Sequence, residues 1–263
     1  MSTPLRRLFD LTGRHALITG SSRGLGLQMA EALGEAGASL LITSRKASEL
    51  EVSAERLRAQ GFTVDWLAAD SSDPAAIARL GEWALDKRPH IDILVNNAGA
   101  AWGAPAEDHP LEGWDKVQNL NVRAVFLLSQ FIAKHSMIPR RRGRIIMTAS
   151  TAGLGGNPRG HETVAYNTSK AAVIGLTRTL AGEWGEFDIT VNAIAPGWFP
   201  SKMTRGTFDK LGVERLAAMA PLGRVGDDDD LKGAVVLFAS DAGKHITGQV
   251  LAIDGGASAV VAG

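Results

Sequence analysis

The 263 residues include no cysteine, which rules out disulfides, thiolate nucleophiles and sulfur-ligated metal sites. Charge of either sign in excess is also missing: 28 basic residues balance 28 acidic ones. Such a balance gives no electrostatic footprint for nucleic acid or for an anionic membrane, so small-molecule partners are expected. No apolar run approaches the roughly 20 residues of a membrane-spanning helix, and the start of the chain, Met1 to Leu11, carries two arginines but no apolar stretch of a signal peptide. A cytoplasmic protein is expected. The six histidines show no ligand spacing and have no acidic cluster beside them, so no metal is expected. His161 is of interest only because it lies near the single tyrosine, Tyr166.

Short apolar, β-branched runs alternate with longer segments of helical period. His15 to Thr19, Ser39 to Thr43, Val64 to Ala68, Ile91 to Val95, Arg144 to Met147, Ile189 to Ile194 and Gln249 to Ile253 read as strands. Gly24 to Ala36, Ala47 to Gln60, Pro74 to Lys87, Leu111 to Ser136, Thr163 to Glu186 and Asp227 to Ser240 read as helices. This alternation predicts a single α/β domain over residues 1–263, a Rossmann-type doubly wound parallel sheet of about seven strands with helices on both faces. The least regular stretch, about 197–226, follows the sixth strand and falls at the carboxyl edge where such sheets bind ligands. Asp227 to Asp230 are expected to cap the helix they precede, and Arg140 to Arg142 with Arg144 to form a solvated turn.

Three segments carry chemistry. The first strand runs into Thr19-Gly20-Ser21-Ser22-Arg23-Gly24-Leu25-Gly26 and then a helix. In that position Gly20 suits a tight turn, Gly24 a close backbone approach and Gly26 tight helix packing, while the helix N-terminus offers N–H groups to a dinucleotide diphosphate. The fourth strand ends in Asn96-Asn97-Ala98-Gly99, and a later helix carries Asn121. The fifth strand ends in Thr148-Ala149-Ser150, and the next helix carries Tyr166 and Lys170, one turn apart on one face. A phenol titrating near pH ~10 needs help to exchange protons at neutral pH, and a neighbouring ammonium favours the phenolate.

In this order the TGSSRGLG loop, the NNAG run, the Asn121 helix, Ser150, YNTSK and the Ala195-Pro196-Gly197 turn resemble the short-chain dehydrogenase/reductase family along the whole chain. The resemblance implies that Tyr166 transfers the substrate proton, Lys170 lowers its pKa and bonds the ribose, Ser150 bonds the substrate oxygen, and Asn121 completes a relay through backbone geometry and a water. The loop between Ser150 and Tyr166 is longer than the commoner spacing, which leaves Thr148 and Thr151 as neighbouring hydroxyls. For the cofactor it implies contacts from Gly20, Ser22, Arg23, Gly24, Leu25 and Gly26, from Ser44 and Arg45, from Asp70 and Ser71, and from Asn97, Ala98 and Gly99. Tyr166, Lys170, Pro196, Gly197, Phe199 and Ser201 complete that set. Asp70 has a competing reading as a cap or turn residue, beside Asp73 before Pro74. Ser44 stands where NAD-selective members usually carry an acid, and Arg23 and Arg45 flank it, so NADP(H) is preferred over NAD(H).

The reaction implied is hydride exchange between a secondary alcohol and a ketone. Gluconate 5-dehydrogenase-like members suggest a sugar acid, with Arg159, His161 and Lys202 as polar candidates. 3-Oxoacyl thioester reductase-like members suggest an acyl chain, with Trp102, Trp198, Phe199 and Met203 as apolar ones. A non-catalytic NADP(H)-binding sensor is the alternative of another class. Apolar residues on more than one face of helices 111–136 and 163–186, among them Phe126, Leu127, Phe131, Ile174, Leu176 and Leu180, together with the resemblance, point to a homotetramer.

Overall fold

The fully buried residues Ala16, Leu17 and Ile18 of the first strand alternate between two cores, Ala16 and Ile18 feeding one and Leu17 the other. Leu40, Leu41 and Ile42 of the second strand do the same, which is why these strands read as continuous apolar runs rather than alternating ones. In the computed structural model, residues 4–157 and 160–260 are described. They form helix α1 (Leu5–Leu8), β1 (His15–Thr19), α2 (Gly24–Glu35), β2 (Ser39–Ser44), α3 (Ala47–Ala59), β3 (Val64–Ala68), α4 (Pro74–Lys87) and β4 (Ile93–Asn96). There follow α5 (Leu111–Gln118), α6 (Ala124–Ile132), α7 (Ile138–Arg140), β5 (Gly143–Thr148), α8 (Val164–Trp184), β6 (Ile189–Pro196), α9 (Arg205–Leu211), α10 (Val213–Ala217), α11 (Lys232–Ala239) and β7 (Val250–Ile253).

The seven strands form one sheet in the order β3-β2-β1-β4-β5-β6-β7, and every pairing is parallel. The order reverses between β1 and β4, where the crossovers leave for opposite faces and a crevice opens beyond the strand ends. One face is covered by α2, α3 and α11 through Met29, Leu33, Leu50, Leu57, Val235 and Phe238. The other is covered by α4, α6 and α8 through Ile77, Leu80, Leu128, Ile132, Val173 and Leu180. The expected α/β fold is therefore the observed one. Among the described residues no helix is long and apolar enough to cross a membrane.

Several local expectations differ. The long helix expected over Leu111 to Ser136 is interrupted by two π turns, Asn119–Arg123 and Ala133–Met137, each of which inserts an extra residue into the helical ladder. Asp227 to Asp230 do not cap α11, which starts at Lys232 without a side-chain cap. Asp230 instead accepts from Arg224 Nη2 at 2.7 Å and from the Asp227 amide at 2.9 Å, and Asp228 accepts from Gln28 at 2.7 Å, so the acids pin the preceding loop. The arginine run is not simply solvated either. Arg140 grips the buried Asp92 with two 3.1 Å bonds, and Arg144 is buried, donating to the Gly143 carbonyl at 2.9 Å. Within 197–226 the chain forms two short helices, α9 and α10. Of the apolar residues noted on the two long helices, Ile174 and Leu180 are buried in the core, Leu127, Phe131 and Leu176 pack partly against it, and Phe126 remains 37% exposed.

Candidate active site

The carboxyl ends of β1, β2, β4, β5 and β6 surround a cavity of about 870 Å³. Its floor is the loop from β1 into α2. Gly20 sits at φ +65° and Gly24 at φ +54°, conformations that side chains rarely adopt. A Cβ on Gly26 would run into the Gly20 carbonyl and the Asn97 amide, so the loop can lie this close to β4 only with glycine there. Asn97 fastens the two strand ends together: its side-chain nitrogen donates to the Thr19 and Gly20 carbonyls at 3.0 and 3.1 Å, and the Asn97 and Ala98 amides donate to the Thr19 hydroxyl at 3.0 Å each. Helix α2 begins after Arg23 with no side-chain cap, leaving its first N–H groups facing the cavity.

On the opposite wall stand Ser150, Tyr166 and Lys170. Ser150 begins a tight turn, accepting from the Ala152 amide at 3.2 Å, and its hydroxyl is near enough to the Tyr166 phenol to favour the phenolate. The neighbouring hydroxyls are directed elsewhere, Thr148 to Asn97 Oδ1 at 3.5 Å and Thr151 to the Pro196 carbonyl at 3.4 Å. The longer loop before α8 is tied to that helix by Asn157, Thr163 and Asn167: Asn167 donates to the Ala152 carbonyl and to Asn157, both at 2.8 Å. Lys170 is 5% exposed, donates to the Thr148 carbonyl at 2.7 Å and lies 5.6 Å from the Tyr166 ring centroid.

Burial pulls Lys170 down to about 8. Burial also pushes the Tyr166 phenol above its usual range, against the opposing pull of the nearby Ser150 hydroxyl. Lys170 is not among the causes of that shift. The ammonium is turned to the Thr148 carbonyl, and desolvation of the phenolate dominates.

Asn121 lies in the first π turn and does not line the cavity. Its side chain is taken up on all sides: Oδ1 accepts from the Ala100 amide at 2.8 Å, and Nδ2 donates to the Ala100 carbonyl and the Ser169 hydroxyl, both at 2.9 Å. The chain after β4 is thereby held against α8. Asp70 is likewise outside the lining. Its carboxylate accepts from the amide and hydroxyl of Ser72 at 2.9 and 2.7 Å, the turn reading, while Asp73 caps α4 through the Ala75 amide at 2.9 Å. Its neighbour Ser71 does face the cavity.

The remaining expected positions, Ser22, Leu25, Ser44, Arg45, Gly99, Pro196, Gly197, Phe199 and Ser201, all line it. Phe199 is otherwise a core residue, 3% exposed. Of the substrate candidates, Lys202 and Met203 line the cavity, whereas Trp102, His161 and Trp198 do not, and Arg159 lies outside the described residues. Trp102 packs on Gly113 under the Lys116 ammonium, and His161 stands beside Trp198. Sequence reasoning missed Lys46, Glu49, Lys116, Leu120, Arg205 and Phe208, all in the lining. Lys46 and Glu49 sit just past the end of β2, Lys116 and Leu120 on α5 and the π turn after it, and Arg205 and Phe208 on α9, where no motif marks them.

The residues present fit a dinucleotide. A glycine cradle that one Cβ would fill and an uncapped helix N-terminus suit a diphosphate, and the buried Ser44 hydroxyl at the end of β2 has no partner among the described residues. Fold and site together define a nucleotide-dependent oxidoreductase. A family model described as enoyl-(acyl carrier protein) reductase matches residues 20–258. The chain is 41% identical to a rhamnolipid-biosynthesis 3-oxoacyl-[acyl-carrier-protein] reductase of Pseudomonas aeruginosa, over 94% of this chain and 97% of that one. It is 38% identical to a gluconate 5-dehydrogenase of Gluconobacter oxydans, over 95% and 96%. Among solved structures, a gluconate 5-dehydrogenase from Burkholderia cenocepacia in complex with NADP and tartrate superposes with a TM-score of 0.92 at 35% identity, covering 98% of this chain and all of that one. The chain belongs to the short-chain dehydrogenase/reductase family and is an oxidoreductase of that family.

Proposed function

We propose that the chain folds as one dinucleotide-binding and catalytic domain, with residues 197–226 as its substrate loop, and interconverts a secondary alcohol and a ketone with NADP(H), acting on a sugar acid. The observation that carries the reaction is the convergence of Ser150, Tyr166 and the buried Lys170 on one cavity wall, across from the uncapped α2 N-terminus. Gly20, Gly24, Leu25 and Gly26 hold the diphosphate, Lys170 bonds the ribose, Asn97 to Gly99 and Pro196 to Ser201 flank the nicotinamide end, and Arg23 and Arg45 face a 2′-phosphate beside Ser44. When bound, NADPH supplies the hydride.

The chain's own part is to position and to move a proton. Ser150 Oγ donates to the substrate carbonyl and orients it, and Tyr166 Oη gives up its proton as that oxygen gains charge. A phenol that burial keeps protonated is matched to ketone reduction. Asn121, with its side chain committed to Ala100 and Ser169, acts through backbone geometry by fixing the chain beside Gly99.

The sugar-acid reading rests on Lys116, Lys202 and Arg205, which line the cavity and make no ion pair among the described residues. Uncompensated cations favour an anionic substrate. The Pseudomonas aeruginosa relative keeps a 3-oxoacyl thioester as the second reading, with Met203, Phe208 and Leu120 as its apolar wall. Comparing kcat/KM for 5-ketogluconate and an acetoacetyl thioester with NADPH separates them, and a strong preference for the thioester would overturn the sugar acid. A cytoplasmic homotetramer, assembled through helices 111–136 and 163–186, completes the reading. The exposed Phe126 and Leu111 support it, and sedimentation giving only monomer at micromolar concentration would refute it.

A further inference from the structure

The acid missing from the end of β2 is present in space, one turn further on. Glu49 lies in the first turn of α3 and lines the cavity together with Ser22, Arg23, Ser44, Arg45 and Lys46. Its Oε2 is 2.6 Å from Arg23 Nη1 and 3.4 Å from the Ser22 hydroxyl, and its Oε1 is 3.3 Å from Lys46 Nζ. The turn that carries it is fixed to the glycine loop, because the Ser53 hydroxyl donates to the Ser22 carbonyl at 2.7 Å and bonds the Glu49 carbonyl at 2.9 Å. Among the described residues Glu49 is the one acid in the lining, set among the cations that a 2′-phosphate would use.

We propose that Glu49 sets the dinucleotide selectivity of this site: its carboxylate competes with a 2′-phosphate for Arg23 and Lys46, and accepts hydrogen bonds from the ribose hydroxyls of a cofactor without that phosphate. Two like charges cannot share the Arg23 fork, so a 2′-phosphate must displace the carboxylate from it. Glu49 can give way, since its side chain is 30% exposed and Lys46 is 61% exposed. Arg45, which makes no ion pair among the described residues, holds the phosphate without such displacement. Burial opposes the charge on Glu49, but the hydrogen bonds from Arg23 and Lys46 outweigh it and hold the carboxyl below its usual range. The carboxylate is therefore present at neutral pH. Selectivity is then a balance: Arg45 draws NADP(H) in, and Glu49 weakens that draw while keeping NAD(H) acceptable.

The inference rests on the reading that the Arg23–Arg45 end of the cavity takes the 2′-phosphate, and calorimetric titration tests the two separately. The wild type, Glu49→Gln, Glu49→Ala and Arg45→Ala are titrated with NADPH, NADH, 2′,5′-ADP and 5′-AMP, and circular dichroism checks that each variant is folded. Loss of one competing charge-assisted contact should tighten 2′,5′-ADP and NADPH by about tenfold in Glu49→Gln. NADH should weaken in the same variant, and further in Glu49→Ala, which has no acceptor. Unchanged or weaker NADPH and 2′,5′-ADP binding in both Glu49 variants, with the wild type still preferring 2′,5′-ADP over 5′-AMP, would overturn the role of Glu49 alone. A wild type that binds 2′,5′-ADP no better than 5′-AMP, with Arg45→Ala unchanged, would overturn the 2′-phosphate site itself and the inference with it.

Discussion

Lys170 should make the stability of this protein rise with pH in a window where most proteins lose it. Burial depresses its pKa from 10.5 to about 8, so between those values the unfolded chain binds more protons at this site than the folded one. The contribution of Lys170 to stability is therefore lowest below pH 8 and recovers as pH climbs towards 10.5. A depression of that size corresponds to about 3 kcal/mol per chain, with a steepest slope of about 1.4 kcal/mol per pH unit. Lys170→Met removes the charge at nearly constant length. It also leaves the Thr148 carbonyl without its 2.7 Å partner, a cost of about 1–3 kcal/mol that does not vary with pH. Urea unfolding of both proteins at pH 7, 8, 9 and 10, at fixed protein concentration, isolates the titrating part. The wild-type free energy minus that of the variant should increase by about 2–3 kcal/mol from pH 7 to pH 10. A difference that is flat or falls would mean that the ammonium is hydrated in the folded protein, and the buried-lysine account of the site would be wrong.

Two further substitutions separate cofactor site from scaffold. Gly26→Ala places a methyl against the Gly20 carbonyl and the Asn97 amide, where backbone must move; overpacking of this kind costs about 1–3 kcal/mol, and NADPH binding measured by fluorescence titration should weaken well beyond the effect on melting temperature. Melting with undiminished cofactor affinity would show that the loop does not form the diphosphate cradle. Asp92→Ala, at the amino edge of the sheet, removes the carboxylate that holds Arg140 with two 3.1 Å bonds and the His15 amide at 2.9 Å. It should lower unfolding free energy by about 3–5 kcal/mol in urea while kcat at 25 °C stays near wild type. A loss under 1 kcal/mol would mark the cluster as energetically neutral.

Strand positions and helix order were legible because β1, β2 and β4 are buried on both faces and leave long apolar runs, while glycine and proline mark their ends. The Tyr166–Lys170 spacing was legible for the same reason: a helix turn converts four residues into one face. What could not be read is whatever depends on side-chain direction. Sequence puts Asp70 after β3 and Asp227 to Asp230 before α11, yet rotamer and turn geometry send the first to Ser72 and the others to Arg224, Gln28 and Lys232. The same holds for Lys170, whose effect on the phenol depends on the Thr148 carbonyl that captures its ammonium, and for Glu49, which meets Arg23 across 26 residues of chain. The π turn at Asn119–Arg123 has no propensity signal, because an extra residue in a helix is stabilised by the tertiary bonds Asn121 makes.

In the proposed mechanism the Tyr166 hydroxyl carries the proton and does not hold the cofactor. Tyr166→Phe deletes that hydroxyl and keeps the ring. Measured side by side, ketone-dependent NADPH oxidation should fall by about 10²–10⁴ in kcat, the range that one general acid supplies, while the NADPH dissociation constant stays within about twofold of wild type. Turnover within tenfold of wild type would contradict the account.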